Sequence, residues 1–533
     1  MMPTFDLIRE PWILCLRHDG TAEEVGLRDA LCRAHELLAL RDPMPTVEFG
    51  LYRLLVVLVL DIFRPEDVQM LGDLIAEGHF DAARVDAYFD RWQDRFDLFS
   101  PTYPFLQTAG LGGEGAKPLA GLLPPIPSGT NAAHFHHDPE GTFGVSPAAA
   151  ARLLTSVAPF MTAGGAGLAP SINGAPPWYA LITEDTLFET LCRNTYVLNR
   201  QRIALGIPAW RDDRPINPAE RCKSADLLEG WTWRPRRLQL VPGERGTCAL
   251  TGAKADPLVR TMRFVAGASC DFVWRDPNVP YKIDDKGPKV MRPQEDKEVW
   301  RDTAPLALLN QHDYTKGDTA VQFRRPAVID QLVLMTQDEY IEKGPLRLTL
   351  YGMRTDLKMK VFEWHRTMLS LPKPLVLQDN FHTEVQKEME RAGDVAYAMR
   401  KAIKMTYDRE GVGNKTAFDS LAAYAQRQLW AGLRPNYDRF LQEVAPLLTS
   451  QNEEWETARA RWWAAIRQEG SAALEQAIGD LDADAAALKR WVMAKKSFSN
   501  ALFRVLMTDN EKAARDTNKK NKASTKTKKG ATL

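Results

Sequence analysis

The spacing of hydrophobic positions changes along the chain and divides it into two regions. Residues 5–27 alternate apolar runs with turn residues, which predicts an opening β-hairpin. Apolar residues then recur at helical or strand-like spacing, separated by connections rich in proline and glycine. The predicted helices cover residues 27–40, 46–63 and 81–96, and the predicted strands cover residues 237–241, 269–274 and 346–351. We therefore expect a large, irregular mixed α/β domain over residues 1–365.

After residue 365 the spacing becomes that of long amphipathic helices. Leu421, Ala425 and Leu429, for example, recur at four-residue intervals on one helical face. The predicted helices cover residues 379–407, 415–441, 451–467 and 472–507. Because such helices joined by short links form up-and-down bundles, we expect a four-helix bundle over residues 366–508. The fold class is α+β.

The last residues of the chain, 509–533, have a different composition. They are rich in lysine and show no apolar periodicity. Segments that cannot bury apolar surface do not offset the entropy of ordering. The sequence therefore predicts a disordered basic tail.

Composition narrows the class of protein. The 533 residues are 44% hydrophobic and 26% charged, and 69 basic side chains balance 69 acidic ones. A global positive field is therefore excluded, and any nucleic-acid contact must come from local patches. The apolar run at 51–63 is too short for a membrane span and carries Arg53 and Asp61. Six scattered cysteines without a CxxC pair predict a reduced, cytoplasmic protein without metal or cofactor.

Three histidines lie close together in the segment PPIPSGTNAAHFHHDPEG, residues 124–141, which we call the histidine loop. His134, His136 and His137 are followed directly by Asp138. A zinc site needs three or four ligands that converge from a rigid framework, and consecutive residues of one loop rarely do so. We therefore expect a surface loop anchored by Phe135, and a metal site remains the alternative.

A second candidate is TAGGAGLAPSINGAPPW, residues 162–178, which we call the glycine segment. Gly164, Gly165 and Gly167 remove side chains, so the backbone can approach another surface closely. Asn173 adds a small polar group beside them. These residues are compatible with a loop that lies in a nucleic-acid groove and also with a flexible connector.

Basic residues are interleaved with aromatic ones in three further segments. The segments are residues 231–237, residues 260–292 and YGMRTDLKMKVFEW at 351–364. Such mixtures suit phosphate contact combined with base stacking. Solvated charged loops have the same composition, so the residues leave both interpretations open.

Several short motifs occur together in one order. FDLIREPWI, YPFLQTAG, SGTNAAHFHH, the glycine segment, DPNVPY and YGMRTD follow each other along the chain. As a set they resemble the CasA family, the large subunits of the type I-E CRISPR surveillance complex Cascade. The resemblance implies a DNA-binding subunit and not an enzyme. Such a subunit recognises the protospacer-adjacent motif in duplex DNA, initiates strand separation and helps recruit a helicase-nuclease. The implied partners are the 5′ handle of the CRISPR RNA, double-stranded target DNA, the Cascade backbone and small subunits, and the helicase-nuclease, with no membrane.

The resemblance also assigns roles to individual residues. Three groups are implied: residues that contact the DNA motif, residues that form a strand-separating wedge, and residues that face the RNA handle and backbone subunits. They are Gly164, Gly165, Gly167, Asn173 and Arg263 for the motif, Arg354, Thr355, Asp356, Leu357 and Lys358 for the wedge, and Thr130, Asn131, Phe135, His136 and His137 for the RNA handle. Well-studied members place a glutamine at the wedge, and this chain has Leu357 or Lys358 in that region.

Two other functional classes remain compatible with the residues. One is a metal-dependent nuclease that uses the histidine loop. The other is a non-catalytic helical scaffold whose C-terminal helices bind partner proteins.

Overall fold

The chain forms two compact units, Met1–Val376 and Leu377–Leu533, in a computed structural model. The structure describes residues 3–112, 115–123, 143–164, 167–198, 203–308, 310–316, 319–341, 345–356, 361–377, 382–406, 415–447, 453–479, 485–508 and 511. The limit expected at residue 365 falls inside a paired β-strand, so the first unit extends to Val376.

The first unit combines short helices with several small sheets. Its strands are β1 (Ile13–Arg17), β2 (Ala22–Val25), β3 (Leu37–Leu40), β4 (Lys117–Pro118), β5 (Tyr179–Ile182), β6 (Arg221–Cys222), β7 (Arg236–Pro242), β8 (Gly246–Thr247), β9 (Lys254–Ala255), β10 (Val259–Ala266), β11 (Ser269–Cys270), β12 (Tyr281–Asp284), β13 (Gly287–Val290), β14 (Asn310–Lys316), β15 (Thr319–Arg324), β16 (Leu346–Thr355) and β17 (Val361–Leu371). Its helices are α1 (Leu27–Cys32), α2 (Pro45–Phe63), α3 (Val68–Ala76), α4 (Ala82–Trp92), α5 (Pro147–Thr155), α6 (Val157–Phe160), α7 (Leu187–Asn194), α8 (Leu227–Trp231) and α9 (Ala327–Gln337), and α10 (Lys373–Leu377) follows at the boundary. The mixed α/β character expected for this region is confirmed.

Helix α2 forms the centre of the first unit. All of its residues after Pro45 are buried, and it packs against α5, α7 and the strand β16. The apolar run at 51–63 is therefore a core helix, and its polar side chains Arg53 and Asp61 bind partners inside the unit. Among the helices that the structure describes, not one is both long enough and apolar enough to cross a membrane.

Two of the predicted elements of the first unit are wrong in part. The helix expected over 27–40 ends at Cys32, and Leu37–Leu40 pairs with β1 because strand pairing there outweighs the helical spacing. The strand expected over 269–274 is reduced to Ser269–Cys270. The opening β1–β2 hairpin is confirmed.

Three antiparallel strands, in the order β17-β16-β5, position the candidate site. Strands β16 and β17 form a long hairpin, and β5 pairs with the other edge of β16. The register places Tyr351 opposite Tyr179 and Leu348 opposite Ile182. The hairpin is therefore fixed to the segment that leads into β5.

Four long helices lie in the described part of the second unit. They are α11 (His382–Thr406), α12 (Lys415–Val444), α13 (Glu453–Gly479) and α14 (Ala485–Val505). Helix α11 packs against the other three, and α12 packs against α13. The helix-rich character is confirmed, and the up-and-down bundle stays a prediction. The predicted basic tail, residues 509–533, lies outside the described residues except for position 511.

The predicted break between residues 467 and 472 is wrong. Helix α13 runs through it without interruption to Gly479. A Cβ at Gly470 would lie 3.2 Å from the Phe498 ring and 3.4 Å from a methyl of Val395. The glycine thus permits close helix packing at this position and does not end the helix.

Candidate functional site

The glycine segment folds into a narrow loop. Two backbone hydrogen bonds close the base of this loop. The amide of Gly164 donates to the carbonyl of Leu168 (3.0 Å), and the amide of Ser171 donates to the carbonyl of Met161 (2.8 Å). Gly167 is exposed and has φ +81°, a conformation that side chains disfavour. The loop therefore presents bare backbone at Gly167, and Gly165 lies outside the described residues.

Arg236, on β7, clamps the two sides of this loop from beneath. Its guanidinium donates to the carbonyl of Thr162 (2.7 Å) and to the carbonyl of Ala169. The residue is only 3% exposed, and its guanidinium lies 5.5 Å from the centre of the Phe264 ring. Burial lowers the pKa of Arg236 to about 10. The sequence left open whether the basic residues of segment 231–237 contact phosphates or are only solvated, and the structure shows that Arg236 holds the loop together.

Asn173 ties the end of the loop to a buried ion pair. It is 8% exposed, and its amide nitrogen donates to Asp276 Oδ2 (3.0 Å) and to the hydroxyl of Tyr179 (3.3 Å). Asp276 also accepts two hydrogen bonds from Arg53, at 2.8 and 3.0 Å. Both donors of the Asn173 amide are used inside the protein, where they anchor the loop, and the role at the DNA motif implied for Asn173 stays a prediction.

The same ion pair is enclosed by aromatic rings. The Arg53 guanidinium lies 4.7, 4.8 and 5.6 Å from the ring centres of Phe49, Tyr179 and Trp231. The indole of Trp231 donates to Asp276 (3.2 Å). The DPNVPY motif, which begins with Asp276, is thus a buried structural element. Sequence reasoning missed this network, although an arginine inside the apolar run at 51–63 was a signal for it.

The loop continues directly into the hairpin sheet. Trp178 follows the loop, and its ring lies 5.4 Å from that of His365 on β17. A Cβ at Gly352 on β16 would lie 2.6 Å from Trp178, so only glycine lets the indole pack there. Tyr179 then begins β5, which pairs with β16. Residues expected to contact the motif and to split the strands therefore share one structural block.

A buried carboxylate fixes the hairpin to helix α2. Glu48, 1% exposed, accepts hydrogen bonds from the hydroxyl of Tyr351 (2.7 Å) and from Arg366 (2.9 Å). Tyr351 belongs to β16 and Arg366 to β17, so one side chain of α2 holds both strands. The hairpin is thereby anchored at its middle.

Towards the far end, Arg354 is engaged within the hairpin. Its guanidinium donates twice to Glu363, at 3.1 Å each, and these hydrogen bonds raise the pKa of Arg354. Thr355 ends β16, and Asp356 follows, both partly exposed. Leu357 and Lys358, which were expected to complete the wedge, lie outside the described residues.

The hairpin also exposes two of the aromatic side chains that are interleaved with basic residues in segment 351–364. Phe362 is 49% exposed and Trp364 is 39% exposed, at two-residue spacing on β17. Residues i and i+2 of a strand lie on the same face. The two rings therefore form an exposed apolar face immediately after residues 357–360, and their signal in the sequence was the VFEW alternation.

Arg263, the other residue implied to contact the motif, has its contacts elsewhere in the first unit. It is on β10, where it pairs in register with Gln239 and donates to the carbonyl of Leu111. The role at the DNA motif that the resemblance implies for Arg263 stays a prediction. More exposed lysines lie on the β12–β13 hairpin, where Lys289 pairs with Asp284 (2.6 Å) and Lys282 is exposed.

The histidine loop lies outside the described residues, and with it Thr130, Asn131, Phe135, His136 and His137. Within the described ranges, no group of three or more histidine, cysteine, aspartate or glutamate side chains is arranged to hold a metal ion. The role implied for this loop stays a prediction.

Comparison with known proteins identifies the family. The family model of the CRISPR-associated protein Cse1 matches residues 6–473, which is most of the chain. The chain belongs to the Cse1 family. CasA/Cse1 of Thermus thermophilus is 30% identical over 480 residues, which cover 83% of this chain and 87% of that protein. The resemblance to CasA is thereby confirmed.

Solved structures of the Cse1 family share the fold. Cse1 of Thermobifida fusca superposes with a TM-score of 0.75 at 20% identity, covering 95% of this chain and 98% of that one. A chain of a CRISPR RNA-guided surveillance complex superposes with a TM-score of 0.73 at 18% identity, covering 93% of this chain and 99% of that one. The matched parts of both units therefore have solved counterparts.

Proposed function

We propose that this chain is the large subunit of an RNA-guided surveillance complex, that it recognises the protospacer-adjacent motif in duplex DNA and that it initiates strand separation. The observation that carries the proposal is the continuity of the glycine segment with the β16–β17 hairpin through β5. A single rigid block can read a short duplex motif with one end and open the adjacent base pairs with the other.

The loop has the properties that minor-groove contact requires. The minor groove is about 6 Å wide and offers a degenerate pattern of acceptors, so a bare backbone fits where side chains do not. Arg236 places a positive charge beneath the loop. Among the described residues, its guanidinium donates hydrogen bonds to main-chain carbonyls and not to a carboxylate. This charge favours the approach of the phosphate backbone, although the net charge of the chain is zero.

The hairpin has the properties of a strand-separating wedge. Inserting apolar side chains between base steps costs a few kcal/mol of unstacking, which the contacts to the motif offset. Phe362 and Trp364 provide an apolar face behind the hairpin tip, on which an unpaired base can stack. Anchoring through Glu48 lets the hairpin resist the force of the duplex without bending.

The remaining partners follow from the family. The Cse1-like chain of the superposed complex belongs to an RNA-guided assembly. We propose that the histidine loop faces the CRISPR RNA handle and the backbone subunits, that the second unit contacts the small subunits, and that the surface of the chain recruits the helicase-nuclease. No step of this mechanism requires catalysis by this chain.

The first test uses the complex reconstituted with and without this chain. We expect the chain to confer affinity for guide-matched duplexes that depends on the flanking motif, measured across a randomised motif at fixed salt. Affinity that is equal without the chain contradicts the proposal. If instead the isolated chain cleaved labelled duplex DNA and EDTA abolished this cleavage, the result would favour the metal-dependent nuclease.

A matched pair of variants then tests the loop itself. A Cβ at Gly164 lies 2.7 Å from Leu168 Cδ1, so Gly164→Ala and Gly164→Asp disturb the local packing alike. Only Asp adds a negative charge, which would face the DNA phosphates. We therefore expect Gly164→Asp to reduce motif-dependent affinity for DNA at least about tenfold more than Gly164→Ala does, while both variants still assemble into the complex. Equal losses from both variants would show that the loop's packing, and not its contact with DNA, controls binding.

A further inference from the structure

Two cysteines that are 48 positions apart in the sequence lie side by side in the first unit. Strands β6 and β11 are parallel, and their register places Cys222 directly opposite Cys270. The amide of Asp271 donates to the carbonyl of Cys222 (3.3 Å), which fixes this register. Lys223 and Asp271 form an ion pair one position further along the same two strands.

The separation of the two strands suits a covalent bond between these thiols. Neighbouring strands lie about 4.7–4.9 Å apart, and disulfides span Cα distances of about 4.4–6.8 Å. Residues opposite each other in a parallel pair point to the same side of the sheet, so both sulfur atoms lie on one face. Neither backbone needs to move far for a bond to form.

A small reagent can also reach the pair. Cys222 and Cys270 are both partly exposed, and Cys222 lines a cavity of about 420 Å³ together with Asp212, Glu220 and Arg234. By contrast, Cys15, Cys192 and Cys248 are buried. Burial raises the pKa of both partly exposed thiols, so they are held as thiols and react slowly.

We propose that Cys222 and Cys270 are a modification site, at which hydrogen peroxide oxidises the two thiols to an intramolecular disulfide. One thiolate attacks the peroxide, the O–O bond breaks, and a sulfenic acid and one water are produced. The second thiol attacks that sulfenic sulfur, an S–S bond forms, and a second water leaves. In total the two thiols give up two electrons and two protons, and the peroxide is reduced to two waters.

The modification acts on the glycine segment. In the reduced chain the Cys270 thiol lies 3.9 Å from the carbonyl of Ile172, to which it donates. A disulfide sulfur has no proton to donate, so the bond to Ile172 is lost on oxidation. Ile172 precedes Asn173, the residue that anchors the loop to Asp276. Oxidation therefore loosens the loop at its anchored end, and this inference does not depend on the proposed function.

The test is peroxide treatment of the full reduced chain, followed by alkylation of free thiols and peptide mapping without reductant. We expect one linkage, between Cys222 and Cys270, which reductant reverses. Cys222→Ser and Cys270→Ser should each abolish it, and Cys32→Ser, which changes a partly exposed cysteine of the first helix, should leave it intact. The proposal would be overturned if both thiols were recovered in alkylated form, or if both were oxidised to sulfinic acids without a link between them. Peptide mapping of the unaltered chain decides this question even if a variant fails to fold.

Amide hydrogen exchange provides the second measurement. The amides of residues 171–174 should exchange several-fold faster in the oxidised chain than in the reduced chain. The difference should disappear in Cys222→Ser, which cannot form the bond. Equal exchange in a chain whose disulfide has been mapped would overturn the coupling to the glycine segment.

Discussion

The two units bury charge in different ways. In the first unit, Arg53 and Asp276 form a fully buried ion pair that joins segments 223 positions apart. In the second unit, the buried Glu388 accepts a hydrogen bond from the Trp463 indole (2.6 Å) and pairs with Arg391, three positions away on the same helix. Burial raises the pKa of Glu388. One network connects distant segments, and the other stays on two packed helices.

This difference follows from what each unit must hold in place. The second unit packs helices through regular apolar faces, as in the contacts of Tyr437 and Phe440 with Trp462. The first unit must also hold irregular segments such as the described part of the loop from Thr162 to Pro170, which buries no large apolar side chain. Directional hydrogen bonds to a central charge position such segments more sharply than apolar contact does, because their geometry is restricted.

Removing the central charge of the first unit should have the largest effect. In Asp276→Ala, Arg53 stays buried without its partner, and Asn173 and Trp231 each lose an acceptor. We expect a loss of about 3–5 kcal/mol in the free energy of unfolding of this unit, measured by denaturant titration. Asp213→Ala is the control, since Asp213 pairs with Arg95 at the surface, and it should cost less than about 1 kcal/mol. Similar losses would mean that the buried network does not hold the unit together.

An intermediate effect is expected at the clamp beneath the loop. Arg236→Met keeps much of the length and the contact with Phe264 but leaves the carbonyls of Thr162 and Ala169 without this donor. Because the buried cation is costly in itself, the net loss should be about 2 kcal/mol. Amide exchange near Gly164 should accelerate before the rest of the unit opens, and Arg236→Lys should restore part of the protection. Protection that is unchanged in Arg236→Met would exclude a clamp.

The same contrast explains how much the sequence could predict. Helical spacing located α2, α11 and α12 closely, because α11 and α12 each bury a regular face and α2 is a long, almost wholly apolar helix. It failed at Leu37–Leu40, where pairing with a distant strand decides the structure. The glycine segment could be recognised as a loop, but its clamp and its anchor could not. Arg236 and Asp276 act through contacts with distant residues, and no local pattern encodes such contacts.

The smallest effect concerns a single carboxylate of the second unit and depends on pH. Burial, and after it the charge of Asp394, raises the pKa of Glu390 from 4.5 to about 7. The unfolded chain ionises Glu390 at lower pH than the folded chain does. Its contribution to stability is therefore complete below about pH 4.5, is lost as the pH rises, and has disappeared above about pH 7.

Glu390→Gln removes this titration and preserves an acceptor for Gln386, which donates to Glu390 at 3.2 Å. Because the side chain is partly exposed, solvent screens the effect, and we expect a gain of about 1 kcal/mol above pH 7 and none near pH 4. Calorimetry of the full chain across this range measures it. Glu454→Gln, at an exposed position of α13, should bring no such gain. A gain of the same size at both ends of the range would mean that the substitution acts through helix propensity and not through the burial of the Glu390 charge.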